Sequence, residues 1–154
     1  MPHRTRVQVI ATDPISRAGA VGVLSLAHEL DVRAFEGPSV SRWQPQVAVL
    51  AVERVDRTTL IQLRVTRRSG VPVVLVASDI DGFDVLAALE AGTTAMVLRS
   101  EATTERLLEV VRLAVSSPDR SAQESYVDLR RPGVPAQRPA SRLARAFARS
   151  SALR

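Results

Sequence analysis

Two stretches, VAVLAV at residues 47–52 and VPVVLVA at residues 71–77, are apolar at nearly every position. A strand with one wet face alternates apolar and polar residues, whereas a strand apolar throughout is buried on both faces. Burial on both faces needs a layer of structure on each side of the sheet, and parallel strands joined by helices supply it. The rest of the chain fits this demand. Residues 6–11 (RVQVIA), 32–36 (VRAFE) and 95–98 (AMVL) read as three further strands. Asp13-Pro14 is an N-cap followed by proline in the first turn, and it opens a helix over 14–30. Asp56 caps a helix over 57–69 that Gly70 stops, and Asp81-Gly82 opens another to Ala91, closed by Gly92. Ser100 is read as the start of a last helix reaching Ser116. Gly37-Pro38 ends the second strand so close to Val47 that the second helix shrinks to a turn or two around residues 39–43.

Strands alternating with helices at this spacing form βαβ units with right-handed crossovers. The expected result is an α/β fold of flavodoxin-like (βα)5 type, with a parallel five-stranded sheet of order 2-1-3-4-5 and a shortened second helix. Neither a P-loop nor a GxGxxG turn occurs, and Gly19 and Gly22 fall inside a helix. The chain has no cysteine, which excludes disulfides, thiolate catalysis and zinc-thiolate sites. His3 and His28 are its only imidazoles, so no metal cage is expected, nor a cofactor. All 21 basic residues are arginine. Residues 1–116 hold 13 Arg and 13 acidic residues, while residues 117–154 hold 8 Arg and 3 acidic ones, so the tail carries the whole net charge of +5. Residues 1–116 are therefore expected to be the folded domain, and 117–154 a basic, proline- and arginine-rich tail, mostly disordered, with a short helix possible at 141–150. Residues 18–27, the longest apolar run, are too few to span a bilayer, and no leader pattern is seen; a cytoplasmic protein without a membrane partner is expected.

Several phrases within residues 6–116 resemble the receiver domain of bacterial two-component response regulators, closest to the class usually joined to a LuxR-type helix-turn-helix. They are DPISRAG (13–19), PQVAVL (45–50), PVVLVAS (72–78), ALEAGTTAMVLRS (88–100) and LLEVVRLAV (107–115). The resemblance implies an aspartate phosphorylated at the end of the third strand, two carboxylates after the first strand holding Mg²⁺, a hydroxyl after the fourth and a lysine after the fifth. Placed on these phrases, the acceptor position is Ala51, the acidic pair Ala11 and Thr12, the hydroxyl position Ala77 with Ser78 beside it, and the lysine position Arg99. None keeps the side chain the chemistry requires. Asp13 and Glu53 are the nearest substitutes; Asp13 is better explained as a helix cap, and Glu53 is expected to face elsewhere. The alternative use for these two is an internal ion pair with Arg99 or Arg54. The chain thus reads as a pseudo-receiver, not phosphorylated on aspartate, not an enzyme, and acting by protein–protein contact.

Two surfaces are candidates for such contact. Leu107, Val110, Val111 and Ala114 make the core line of the last helix, leaving Leu108 and Val115 spare; Ala20, Leu24 and Ala27 make a spare line on the first helix, and together these five residues are the expected interface of a homodimer. An unidentified regulatory protein is the second expected partner. In the tail, Arg142, Arg145 and Arg149 share one helical face, opposite Leu143 and Phe147, so the alternative reading is a transcriptional regulator touching DNA through its tail. A further alternative is a small ligand sensed in the vacated pocket.

Overall fold

The structure, a computed structural model, describes residues 3–35 and 43–116. Five parallel strands form one sheet: β1 (Thr5–Ala11), β2 (Leu30–Ala34), β3 (Val47–Arg54), β4 (Val73–Asp79) and β5 (Ala95–Leu98), in the order β2-β1-β3-β4-β5. The helices are α1 (Pro14–Ser25), α2 (Arg57–Arg68), α3 (Gly82–Ala91) and α4 (Thr104–Ser116). The expected sheet order is the one found. Strand side chains alternate between faces, and the two faces bury separate cores. On one side Val7, Val9, Val47, Val49, Val74 and Val76 pack against α1 and α4; on the other Ala48, Leu50, Val52, Val73, Leu75 and Ala77 pack against α2 and α3. This double burial explains the near-continuous apolar runs of β3 and β4.

Local chemistry sets the helix starts. Asp13 accepts from the Ser16 amide at 2.8 Å, and Asp56 from the Thr59 amide at 2.8 Å. Asp81 and Asp84 close a reciprocal capping box at the start of α3. At the other end of α3, Gly92 has a φ of 100°, and a Cβ there would meet the Cγ of Arg67 at 2.8 Å. Glycine is required at this point for both reasons.

The structure corrects three expectations. The first helix ends at Ser25 and not at residue 30, because residues 26–29 turn, with the Ala27 amide bonded to Leu24 and the Leu30 amide to Ala27, so that Leu30 can pair with Thr5 at the start of β2. The last helix begins at Thr104 and not after Ser100: Arg99–Glu101 form a 3-10 turn, and the Thr103 hydroxyl caps α4 by accepting from the Arg106 amide. Leu24 and Ala27 are core residues, 0% and 7% exposed, so they are withdrawn from the homodimer surface; Ala20, Leu108 and Val115 are half-buried against the same core. Gly19 and Leu26 are exposed. With Ser25 the only polar residue between Ala18 and Ala27, apolar periodicity does not set the rotation of this helix. The last helix buries Leu107, Val110, Val111 and Ala114, as its periodicity implies.

Most of the segment expected to hold a shortened second helix lies outside the described residues, as does the whole tail from residue 117, including the possible helix at 141–150. Trp43, at the edge of that segment, lies against the polar outer side of β2. Its indole nitrogen donates to Asp31 at 3.2 Å, the Arg33 guanidinium stacks 4.9 Å from its ring, and Phe35 tilts against it at 5.5 Å.

Candidate functional site: the carboxyl edge of the sheet

The strand register brings the predicted site residues together at one edge. Ala11 pairs with Ala51, Ala51 with Val76, and Val52 with Ala77, which pairs in turn with Leu98. Ala11, Ala51 and Ala77 are all buried, at 9%, 4% and 0% exposure. Three methyl groups therefore stand where the resemblance calls for a metal ligand, a nucleophile and a hydroxyl. Thr12 and Ser78, the adjacent hydroxyls, are exposed.

Across this edge lies Arg99. From the end of β5 its side chain reaches over the end of β4, and its Nη2 donates to the Val52 carbonyl of β3 at 3.2 Å and to the Ser16 hydroxyl of α1 at 2.9 Å. Asp13 lies next in the chain of contacts. Its carboxyl is held below the ordinary aspartate range by the bonds it accepts from Ser16, hydroxyl first and amide second, with a smaller pull from the Arg99 guanidinium. Arg17 adds a second guanidinium, whose Nη2 donates to the Ala11 carbonyl at 3.5 Å. The hydrogen bonds of Arg99 go to a carbonyl and a hydroxyl, so the alternative of a direct pair with Asp13 or Glu53 is not formed, and Arg99 is linked to Asp13 through Ser16.

Glu53 calls for a correction. β3 runs on to Arg54, and the two-residue period places Glu53 on the same side of the strand as Ala51, not away from it. It is exposed at the strand end and takes no part in the Arg99 contacts.

The residues present do not fit Mg²⁺, which wants several oxygen ligands in a near-octahedral set. Ala11 and Ala51 offer none, Asp13 is engaged as the cap of α1, and a fixed guanidinium stands over the position. Among the described residues no group of three or more His, Asp or Glu could hold a metal ion.

Ser16 was not a sequence candidate, although it lies within DPISRAG. Its signal was the third position after an Asp cap, which reads as ordinary helix; only the fold shows that its hydroxyl meets a residue 83 positions away. The tail arginines 142, 145 and 149 lie outside the described residues.

With this geometry in view, the chain can be placed among known proteins. It has the fold of response-regulator receiver domains. It is similar to the response regulator ChrA of a heme-sensing two-component system, at 21% identity and a TM-score of 0.57, over 94% of this chain and 65% of that one. It is similar to the signal receiver domain of the putative response regulator NarL from Mycobacterium tuberculosis, at 21% identity and a TM-score of 0.54, over 72% of this chain and 98% of that domain. A third similar structure is RcsB from Salmonella enterica serovar Typhimurium bound to promoter rprA in the presence of phosphomimetic BeF3-, at 15% identity and a TM-score of 0.55, over 97% of this chain and 69% of that one. No protein-family model and no curated protein matches the chain. Among the described residues no helix is long and apolar enough to cross a membrane.

Proposed function

We propose that this chain is a phosphorylation-independent receiver-type regulator, catalytically silent at the carboxyl edge and acting through protein contacts. The observation that carries the reading is the Arg99 latch over three buried alanines. In place of carboxylates that gather a cation, the edge holds a cation of its own, tied to β3 and α1. The conformation that a phosphoryl group would have to induce is replaced by one fixed by the sequence. The test is intact mass after incubation with acetyl phosphate and Mg²⁺. No added phosphate is expected, and Ala51→Asp alone does not restore the reaction, because the metal ligands and the lysine are still missing. A Mg²⁺-dependent gain of one phosphate on the unaltered chain contradicts the reading.

The partner surface we assign is the outer side of α1. Ile15 and Leu26 are 85% and 71% exposed there, with only Ala18, Gly19, Gly22 and Ser25 between them. An uncharged apolar face of this kind suits a homodimer or a regulatory protein. Leu26→Arg is expected to leave the fold intact and to abolish self-association in light scattering; a dimer of unchanged affinity moves the interface elsewhere.

The tail supports a second reading, contact with DNA, through its 8 arginines against 3 acidic residues. Such binding weakens steeply with salt and is lost with the tail, and a gel shift with full-length and tail-deleted protein tests both. A small ligand in the vacated pocket would have to displace Arg99 from Val52 and Ser16, which makes this the weakest of the three readings.

A further inference from the structure

Between β1 and α2, on the side of the sheet away from α1 and α4, runs a groove of about 830 Å³. Ile10 forms its floor, Ile61 and Val65 of α2 one wall, and Trp43 the other, with Gln8 and Gln62 among its polar groups. On this side α2 and α3 cover the core of β3, β4 and β5, and among the described residues no helix covers β1 and β2. Ile61 and Val65, one turn apart, stay 49% and 47% exposed. None of the described residues lining the groove is charged, in a chain of which 24% is. A neutral, apolar ridge of helix width would complete this layer.

We propose that the groove docks the chain's own C-terminal segment, residues 140–151. At the helical period Ala140, Leu143, Ala144 and Phe147 fall at i, i+3, i+4 and i+7, while Arg138, Arg142, Arg145 and Arg149 fall on the opposite face. Docked by its apolar line, the segment meets Ile10, Ile61 and Val65 and leaves its guanidinium groups in water, which suits a groove with no charge to pair them. The connection permits it. Like α2, α4 runs back from the carboxyl edge of the sheet and ends, at Ser116, by the amino edge, where the groove's Gln44, Ser69 and Gly70 also lie. Residues 117–139 span up to about 75 Å when extended, against roughly 30 Å for the width of a small domain. Tethering also holds the segment at an effective concentration near the millimolar range, so a modest contact suffices.

The absence of cysteine makes the test clean. Full-length V65C/F147C is oxidised mildly at micromolar concentration beside a control, L113C/F147C, whose Leu113, exposed on α4, lies on the opposite side of the sheet and outside the partner surface assigned to α1. An intramolecular disulfide is expected to form at least tenfold faster in the groove pair. Equal rates in the two pairs overturn the proposal, since the segment then has no preference for the groove. A disulfide-linked dimer as the main product also overturns it and assigns the groove to a second copy. An independent reading comes from Trp43, the only tryptophan: F147D in the full chain is expected to red-shift its emission and raise its quenching by acrylamide, and an unchanged spectrum counts against docking.

Discussion

Replacing Arg99 by methionine keeps an apolar stem but removes both bonds from Nη2, so the Val52 carbonyl and the Ser16 hydroxyl lose that donor. The residue is exposed, which limits what its charge contributes. A loss of about 1 kcal/mol is expected, read as a lower denaturant midpoint at unchanged slope. Lysine at 99 is expected to restore only part of it, because an ammonium on a different stem does not reproduce the guanidinium's planar geometry. The glycines divide sharply. Gly19 and Gly22 sit inside α1 with nothing within 4 Å of an added Cβ and no left-handed backbone, so Gly19→Ala and Gly22→Ala should each stabilise the isolated domain by about 0.5–1 kcal/mol. Gly92→Ala should cost more than about 1 kcal/mol, given its φ of 100° and the Arg67 side chain 2.8 Å away. Thermal melts of the three variants check the signs.

The helix starts are where acid should act. Asp13 and Asp56 both cap helices, and both carboxyls are held below the ordinary aspartate range, Asp13 by Ser16 and Asp56 by the amide and hydroxyl of Thr59. A depressed folded-state pKa means that the fold favours the ionised form. The contribution is therefore complete above the ordinary aspartate pKa of about 3.9 and is lost as pH falls through the lower folded values. Asp13→Asn and Asp56→Asn, which keep a capping oxygen, are expected to flatten the acid limb of a midpoint-against-pH curve. Limbs of equal steepness in parent and variants contradict this assignment. Element by element, legibility followed contrast. β3 and β4 declared themselves by apolar runs, and α4 by a stripe set against Arg106, Glu109 and Arg112. α1 did not, because apart from Arg17 the stretch PISRAGAVGVLS has apolar or small residues all round, and its rotation was decided by the caps and by where β2 had to begin. The 3-10 turn at Arg99–Glu101 hid behind Ser100, a plausible cap that the chain does not use.

For the whole molecule, sheet order and two-sided burial followed from the spacing of apolar segments, since few connections satisfy a parallel sheet. That alanines stand at positions 11 and 51, where the resemblance calls for a metal ligand and an acceptor, was equally legible, being a matter of which atoms are present. What lies over them was not, because the Ser16–Arg99 contact joins residues 83 apart and depends on three strands being in register. The central claim is that this edge is held by Arg99 and has no metal–phosphoryl chemistry. It is tested most directly by adding Mg²⁺ and then beryllofluoride to the full-length protein while following backbone amide resonances. The account predicts no saturable shift at residues 11–13, 51–54, 77–79 or 99–101. A saturable, Mg²⁺-dependent shift confined to those residues would contradict it.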